Sequence, residues 1–591
     1  MKKKYLRSKE WFDNPKDPGL TALYLEKYLN YGLKRNDLQS GKPIIGIAQS
    51  GSDLSPCNRH FQALSKTIKD GIRDAGGVPM EFPTHPIQET GKRPTAALDR
   101  NLSYLSLVEV LYGYPIDGVI LTTGCDKTTP AALMAAATVN IPSIVLSGGP
   151  MLDGSYKGKK AGSGTIIWEA RRLHAKGEIN YEEFMDMAAA SAPSIGHCNT
   201  MGTASSMNSI AEALGMSLTG GAIIPAPYKE RNSISFKTGQ RIVEMVHENL
   251  TPSKIMTKKA FENAIYVASA IGASSNCPPH LTAIARHMGV DFGIDNWEKL
   301  GHDIPLLVNC QPAGEHLMEG FFKAGGIPAV MQELMKNQKL HKDLITVTGK
   351  TVEENLKEKI NVDENIIKSF KNPLVKNAGF IVMKSNFFSS AVMKTSVISS
   401  EFRKRYLSNP TSPNLFEANA VVFEGPEDYH LRINDKSLKI DENSILMIRG
   451  CGPVGYPGSA EVVNMQPPDK LLKEGINTLP TLGDGRQSGT SESPSILNVS
   501  PESAIGGDLL IIQTGDKIKI DLNNSRIDLM ISNEEIENRR KNVKIPKLKN
   551  QTPWQEISRK MVGQLETGAC LETESLYLDI TNIKGMPRHS H

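Results

Sequence analysis

No stretch of this sequence reaches the roughly 18 consecutive apolar residues that a membrane-crossing helix needs. The nearest, AALMAAATVNIPSIVLSGG, is interrupted by Asn140, Pro142 and Ser143. The N-terminal MKKKYLRSKEWFDNPKDPG is positively charged but has no apolar segment behind it, so it does not read as a secretory leader. An excess of one charge is missing too. The 68 Lys and Arg stand against 64 Asp and Glu, and a formal charge of +4 over 591 residues gives too weak a field to argue for nucleic acid or a membrane as partner. There is no GxGxxG at the first strand, no GxxxxGK[ST] and no HExxH, so dinucleotide, nucleoside-triphosphate and hydrolytic-zinc chemistries lose their main support. Cysteine is scarce, with seven in all, an odd number widely scattered, unlike the dense even framework of a disulfide-stapled domain. The expectation is a cytoplasmic protein whose cysteines are buried thiols or metal ligands.

A chain of this length is too long for one hydrophobic core. From residue 43 the pattern alternates: PIIGIAQ reads as a strand, HFQALSKTIKDGIRDAGG as a helix ended by Gly76 and Gly77, and VPMEF as a strand. The helical AALDRNLSYLSLVEVLYGY, the strand DGVILTT, the helix TPAALMAAATV and the strand PSIVLSGG follow. Strands alternating with helices imply a parallel sheet covered on both faces, which binds ligands at the carboxyl ends of its strands. Helical character continues through NSIAEALGMSL, TGQRIVEMVHENL and GIPAVMQELMKNQ to a charged connecting region. Beyond residue 379 the runs AVVFEG, SILMIRG, DLLIIQTGDKIKIDL and RIDLMIS are β-branched and separated by Gly, Asp and Asn turns. The expected architecture is an α/β domain with a parallel sheet over 1–378, followed by a β-rich, barrel-like domain over 379–591.

Three cysteines lie at loops where this pattern turns from strand or loop into helix: Cys57 in GSDLSPCNRH, Cys125 in GCDKTTP and Cys198 in PSIGHCNTMGTASS. In a parallel sheet all three can converge on one crevice. Three thiolates are the wrong number for a closed structural zinc site but suit a cluster with one open coordination position. Their spacing matches no short ligand motif, so buried thiols remain the competing reading. Cys277, Cys310, Cys451 and Cys570 read as inert buried thiols. Asp126 adds a hard oxygen ligand beside the soft one, of the kind that suits Mg²⁺. Glu89, just after VPMEF, belongs at the same sheet edge, as a ligand or as a solvated loop carboxylate. Lys127 can pair with these carboxylates, or can itself be a ligand if its amine is carbamylated. Two Gly-rich loops of the second domain, RGCGPVGYPGSAEVVNM with Glu461 and LGDGRQSGTSESPSILN with Arg486, Ser488 and Thr490, let backbone approach a ligand closely or serve ordinary β turns.

The segments SDLSPCNRH, TTGCDKTTPA, GHCNTMGTASSMNSIAEALGMSL, PLLVNCQPAGE, GCGPVGYPGSAEVVNM and DGRQSGTSESPSILN, in this order, resemble the dihydroxy-acid/sugar-acid dehydratase family, from about residue 40 to the C-terminus. GHCNTMGTAS and RQSGTS resemble the aldonate branch, the arabinonate and xylonate dehydratases among them. The resemblance implies a hydro-lyase that converts a small sugar acid to a 2-keto-3-deoxy acid. It further implies a [2Fe–2S] cluster on Cys57, Cys125 and Cys198, and Mg²⁺ held by Glu89, Asp126, carbamylated Lys127 and Glu461. Ser488 would be the base, acting as an alkoxide with Thr490 beside it, in a homodimer or homotetramer. The rival within the family is the dihydroxy-acid dehydratase of branched-chain amino-acid synthesis. Asn199, Thr200, Ser488, Thr490 and Ser491 favour a hydroxylated substrate over that apolar one. A more distant reading is an iron–sulfur sensor, in which the carboxylates and the Ser488 loop have no purpose. Glu492 stands where close relatives would carry a small residue, and a carboxylate there could alter which acid is accepted. His589 or His591 could reach an active site.

Overall fold

The computed structural model describes residues 6–30 and 32–573. Four parallel strands, β1 (Ile44–Gln49), β2 (Val78–Pro83), β3 (Gly118–Thr123) and β4 (Ser143–Ser147), form a sheet in the order β2-β1-β3-β4. Strands β1, β3 and β4 are buried along their whole length, as continuous apolar runs in a sheet covered on both faces should be. The helices predicted between them are present at Phe61–Asp74, Ala97–Gly113 and Thr128–Val139. Chain connections diverge from the adjacent pair β1 and β3, so the ligand crevice of such a sheet lies at their carboxyl ends. Among the described residues no helix is long and apolar enough to cross a membrane.

The β-rich part is a closed eight-stranded barrel. Its strands are β5 (Phe380–Ser385), β6 (Ser390–Lys394), β7 (Leu415–Phe423), β8 (Ser444–Ile448), β9 (Thr481–Gly483), β10 (Ile496–Ser500), β11 (Lys517–Asp521) and β12 (Arg526–Leu529), in the order β8-β9-β10-β6-β5-β12-β11-β7. One expected strand is not there: within DLLIIQTGDKIKIDL only the second half pairs, and Asp508–Ile511 is a 3₁₀ turn. The Arg449 guanidinium takes the carbonyl oxygens of Leu509, Leu510 and Ile512, which a strand would have offered to a neighbour. The hairpin of β5 and β6 and the helices Lys258–Ala270 and Cys277–Met288 are additions to the sequence reading.

Two contacts bring the barrel loops onto the sheet edge. Gly458, with φ +86°, lies against the start of the Ala97–Gly113 helix so closely that a Cβ there would stand 2.2 Å from the Leu98 nitrogen. Only glycine fits both that backbone conformation and that space. The chain after the barrel returns to the same place, where the Trp554 indole donates to the Leu98 carbonyl at 3.0 Å.

Candidate active site

Glu89 follows β2, Asp126 and Lys127 occupy the turn after β3, and Glu461 lies on the loop after β8. Far apart in sequence, the three carboxylates each bring an oxygen within 4.8 Å of the others. Lys127 is fully buried beside them, its Nζ 2.8 Å from Asp126 Oδ2 and 2.9 Å from Glu89 Oε2. Arg486, also buried, donates through Nη1 to Glu461 Oε1 at 3.0 Å, through Nη2 to Glu89 Oε1 at 3.1 Å, and through Nε to the Ser459 carbonyl at 2.8 Å. Asn276 donates to Glu461 Oε1 at 2.7 Å and Thr95 to Glu89 Oε1 at 2.7 Å. Burial alone would raise the Glu89 carboxyl, but Lys127 and Arg486 hold it well below its usual range. Burial, then the charge of Glu89, pushes Glu461 up. Burial works against the charge on Lys127, yet Asp126 and Glu89 raise its amine above the ordinary value. Three carboxylates with two cations leave the cluster short of positive charge, and an all-oxygen donor set of this kind suits a hard divalent ion.

The cysteines of the sheet edge adjoin this cluster. The Cys57 and Cys125 thiols hydrogen-bond one another, which draws Cys57 down and pushes Cys125 up. Cys125 Sγ is also 3.2 Å from Asp126 Oδ1. Cys198 is near enough to feel the charges of Cys57 and Asp126, and burial pushes it up to about 12. The Asn58 side chain accepts from the Cys125 backbone N–H at 2.8 Å, tying the loop after β1 to the turn after β3. Gln88 Nε2 lies 3.5 Å from Cys57 Sγ, and Ser163 Oγ lies 3.3 Å from Cys198 Sγ. Polar hydrogens aimed at sulfur stabilise thiolates, so this donor set fits a thiolate-bound cluster. Cys277, Cys310, Cys451 and Cys570 are buried.

Ser488 and Thr490 open onto a cavity of about 500 Å³ shared with Glu89, Glu461, Trp168 and Arg171. Their hydroxyl oxygens are 2.9 Å apart, and the Ser488 N–H donates to Asn464 Oδ1 at 3.0 Å. Two polar residues expected to face substrate do something else. The Asn199 side chain receives the Ser163 N–H and donates to the Leu152 carbonyl, and Thr200 donates to the Ser163 carbonyl, so both are fully buried in loop packing. Ser491 accepts from the Ser493 N–H at 3.1 Å, and Glu492 pairs with Arg172 at 3.5 Å. His589 and His591 lie outside the described residues. Sequence reasoning gave no role to Arg486, Asn276, Thr95 or Trp168. Arg486 sat inside a quoted motif, whereas the other three carried no local signal.

The sheet edge brings thiols and carboxylates together, and loops of the closed barrel add Glu461, Arg486 and Ser488 beside them. The N-terminal signature of the dihydroxy-acid/6-phosphogluconate dehydratases matches residues 42–355, and their C-terminal signature matches residues 365–569. The chain belongs to this dehydratase family. It is 60% identical over 586 residues to a D-xylonate dehydratase of Caulobacter vibrioides, covering 99% of this chain and 98% of that protein. It is 44% identical over 537 residues to an L-arabinonate dehydratase of Rhizobium leguminosarum bv. trifolii, covering 90% of each. A dihydroxy-acid dehydratase of Acetivibrio thermocellus is 35% identical over 546 residues, 91% of this chain and 96% of that one.

Proposed function

We propose that the protein is an aldonate dehydratase, with a pentonate such as D-xylonate as substrate, converting it to the 2-keto-3-deoxy acid. The observation that carries this is the convergence of Glu89, Asp126 and Glu461 with the Ser488–Thr490 pair around one cavity. That volume lies in the ordinary range for a small-molecule site. Arg93, Thr90 and His430 on its wall offer hydrogen-bond partners to sugar hydroxyls, which a branched apolar acid would leave unpaired.

In this reading Cys57, Cys125 and Cys198 hold a [2Fe–2S] cluster, and Glu89, Asp126, carbamylated Lys127 and Glu461 hold Mg²⁺. When bound, these groups supply Lewis acidity toward the carboxylate and hydroxyls of the acid. Arg486 and Asn276 fix the orientation of the carboxylates. Ser488 Oγ, as an alkoxide, takes the C2 proton, and the C3–O bond breaks with its electron pair on the departing oxygen. The proton taken by Ser488 leaves with that oxygen as water, which restores the alkoxide, and the enol tautomerises to the keto acid. The protein would work in the cytoplasm as a homodimer or homotetramer, its sheet domain ending near residue 378.

The test is an anaerobic assay of the Mg²⁺-supplemented protein against C5 and C6 aldonates and 2,3-dihydroxyisovalerate, reading 2-keto acid. Turnover of aldonates is expected. Turnover of the branched acid alone would move the enzyme to amino-acid synthesis. The Ser488→Ala variant should keep both metals and lose dehydration; an active variant would remove Ser488 as base.

A further inference from the structure

The helix Thr165–Lys176 forms one wall of the cavity, and it starts at Gly164, whose φ of +83° sets the chain against Thr490. A Cβ on Gly164 would stand 2.4 Å from Thr490 Oγ1, so glycine is what lets the helix come this near. One turn into the helix, the Trp168 indole Nε1 donates to Thr490 Oγ1 at 3.1 Å. The Arg171 guanidinium lies over the Trp168 ring, 4.8 Å from its centre.

We infer that Trp168 is a positioning residue that fixes the direction of the Thr490–Ser488 hydrogen bond, so that Thr490 donates and Ser488 Oγ accepts. The inference rests on Ser488 as the base. An indole N–H can only donate, so Thr490 Oγ1 must give it a lone pair. Thr490 is largely buried on the cavity wall, and among the described residues its Oγ1 hydrogen-bonds to Trp168 Nε1 and Ser488 Oγ. With the indole proton already on that oxygen, the acceptor that the described residues offer to the hydroxyl proton is Ser488 Oγ, 2.9 Å away. The Thr490 backbone N–H points to the same Ser488 oxygen at 3.4 Å. Ser488 Oγ thus meets two donors and faces the cavity, the arrangement that favours a negatively charged oxygen over a neutral hydroxyl. Were the Trp168 N–H absent, the Thr490–Ser488 bond could run in either direction, and in half of its arrangements the serine proton would be tied up in it.

The test replaces Trp168 by 3-benzothienylalanine, which keeps the shape of the indole and substitutes sulfur for the N–H, and by phenylalanine. With aldonate as substrate, kcat should fall about tenfold or more, the scale of one hydrogen bond to a charged group, with KM changed by less than about twofold. The same replacements in a Thr490→Val background should leave kcat where Thr490→Val alone puts it, because the relay is already cut. An unchanged kcat in the isosteric protein overturns the inference. So does a rise in KM alone, which would make Trp168 a binding wall, or an equal loss in both backgrounds, which would make it a packing residue. Ser488→Ala separates the two levels: activity in that variant removes the base, whereas an inactive Ser488→Ala beside an unaffected Trp168 variant removes only Trp168.

Discussion

Arg486 and Glu89 are 397 positions apart in the chain and 3.1 Å apart in the fold. The same guanidinium binds Glu461, so one side chain of a barrel loop joins the two halves of the carboxylate cluster. Truncating it strands two buried carboxylates, a change that costs about 3–5 kcal/mol where such pairs have been broken. Arg486→Met should therefore lower the melting temperature of the metal-free protein, and Mg²⁺ should restore more stability to the variant than it adds to the parent. Equal melting curves without metal would show that Arg486 is dispensable to the cluster.

Cys198 and Cys277 are both buried or nearly so, yet only the first faces the other two sheet-edge thiols. Burial pushes the Cys277 thiol up to about 12, and it begins a helix on the far side of Asn276. Cys198→Ser should lose the visible iron–sulfur absorbance and the iron and sulfide content of anaerobically purified protein. Cys277→Ser should keep all three. Retention of a full cluster in Cys198→Ser would reassign the ligand.

The α/β half was legible because its strands are short apolar runs of buried parallel sheet that alternate with helical patterns, one of them ended by Gly76 and Gly77. The barrel was legible as a class but not in detail. The turn at 508–511 depends on Arg449, some 60 positions earlier, and no local pattern announces a guanidinium that competes for carbonyl groups. The ligand-type residues stood out because Cys125, Asp126 and Lys127 are an unusual trio at a strand end. Their supports did not, since Asn276 and Trp168 act through contacts with Glu461 and Thr490 that only the assembled fold creates. Asn199 and Thr200 misled for the same reason: polar residues beside a candidate ligand can serve the loop rather than the substrate.

Lys127 is enclosed between Asp126 and Glu89, and carbamylation would exchange its positive charge for a negative one. Four anions facing Arg486 alone would repel one another, so the carbamate should form only with a divalent ion present. With ¹³C-bicarbonate and Mg²⁺ a carbamate resonance is expected in the parent protein and not in Lys127→Arg. The variant should also bind Mg²⁺ at least roughly tenfold more weakly, the scale seen when a metal's supporting groups are removed. No resonance in the parent with Mg²⁺ would leave Lys127 as a plain ion-pair partner.

Away from the cluster, Glu212 and Glu502 are buried carboxyls that each tie down a loop. Glu212 accepts the N–H groups of Gly220 and Ala222, and Glu502 accepts those of Val454 and Gly455, in the loop that leads to Glu461. Burial raises both to about 7, assisted at Glu502 by the charge of Asp484, from an ordinary value of 4.5. Between those two values these carboxyls bind protons in the folded protein that the unfolded chain has released, so their contribution to stability is complete below about pH 4.5 and is lost as pH rises toward 7. Each group contributes a loss on the order of 3 kcal/mol across that window. The melting temperature of the parent minus that of Glu502→Gln, which keeps the side-chain shape without the charge, should therefore fall from pH 5 to pH 8. A difference that stays constant would mean that Glu502 is ionised throughout, held by its two backbone donors and Gln564.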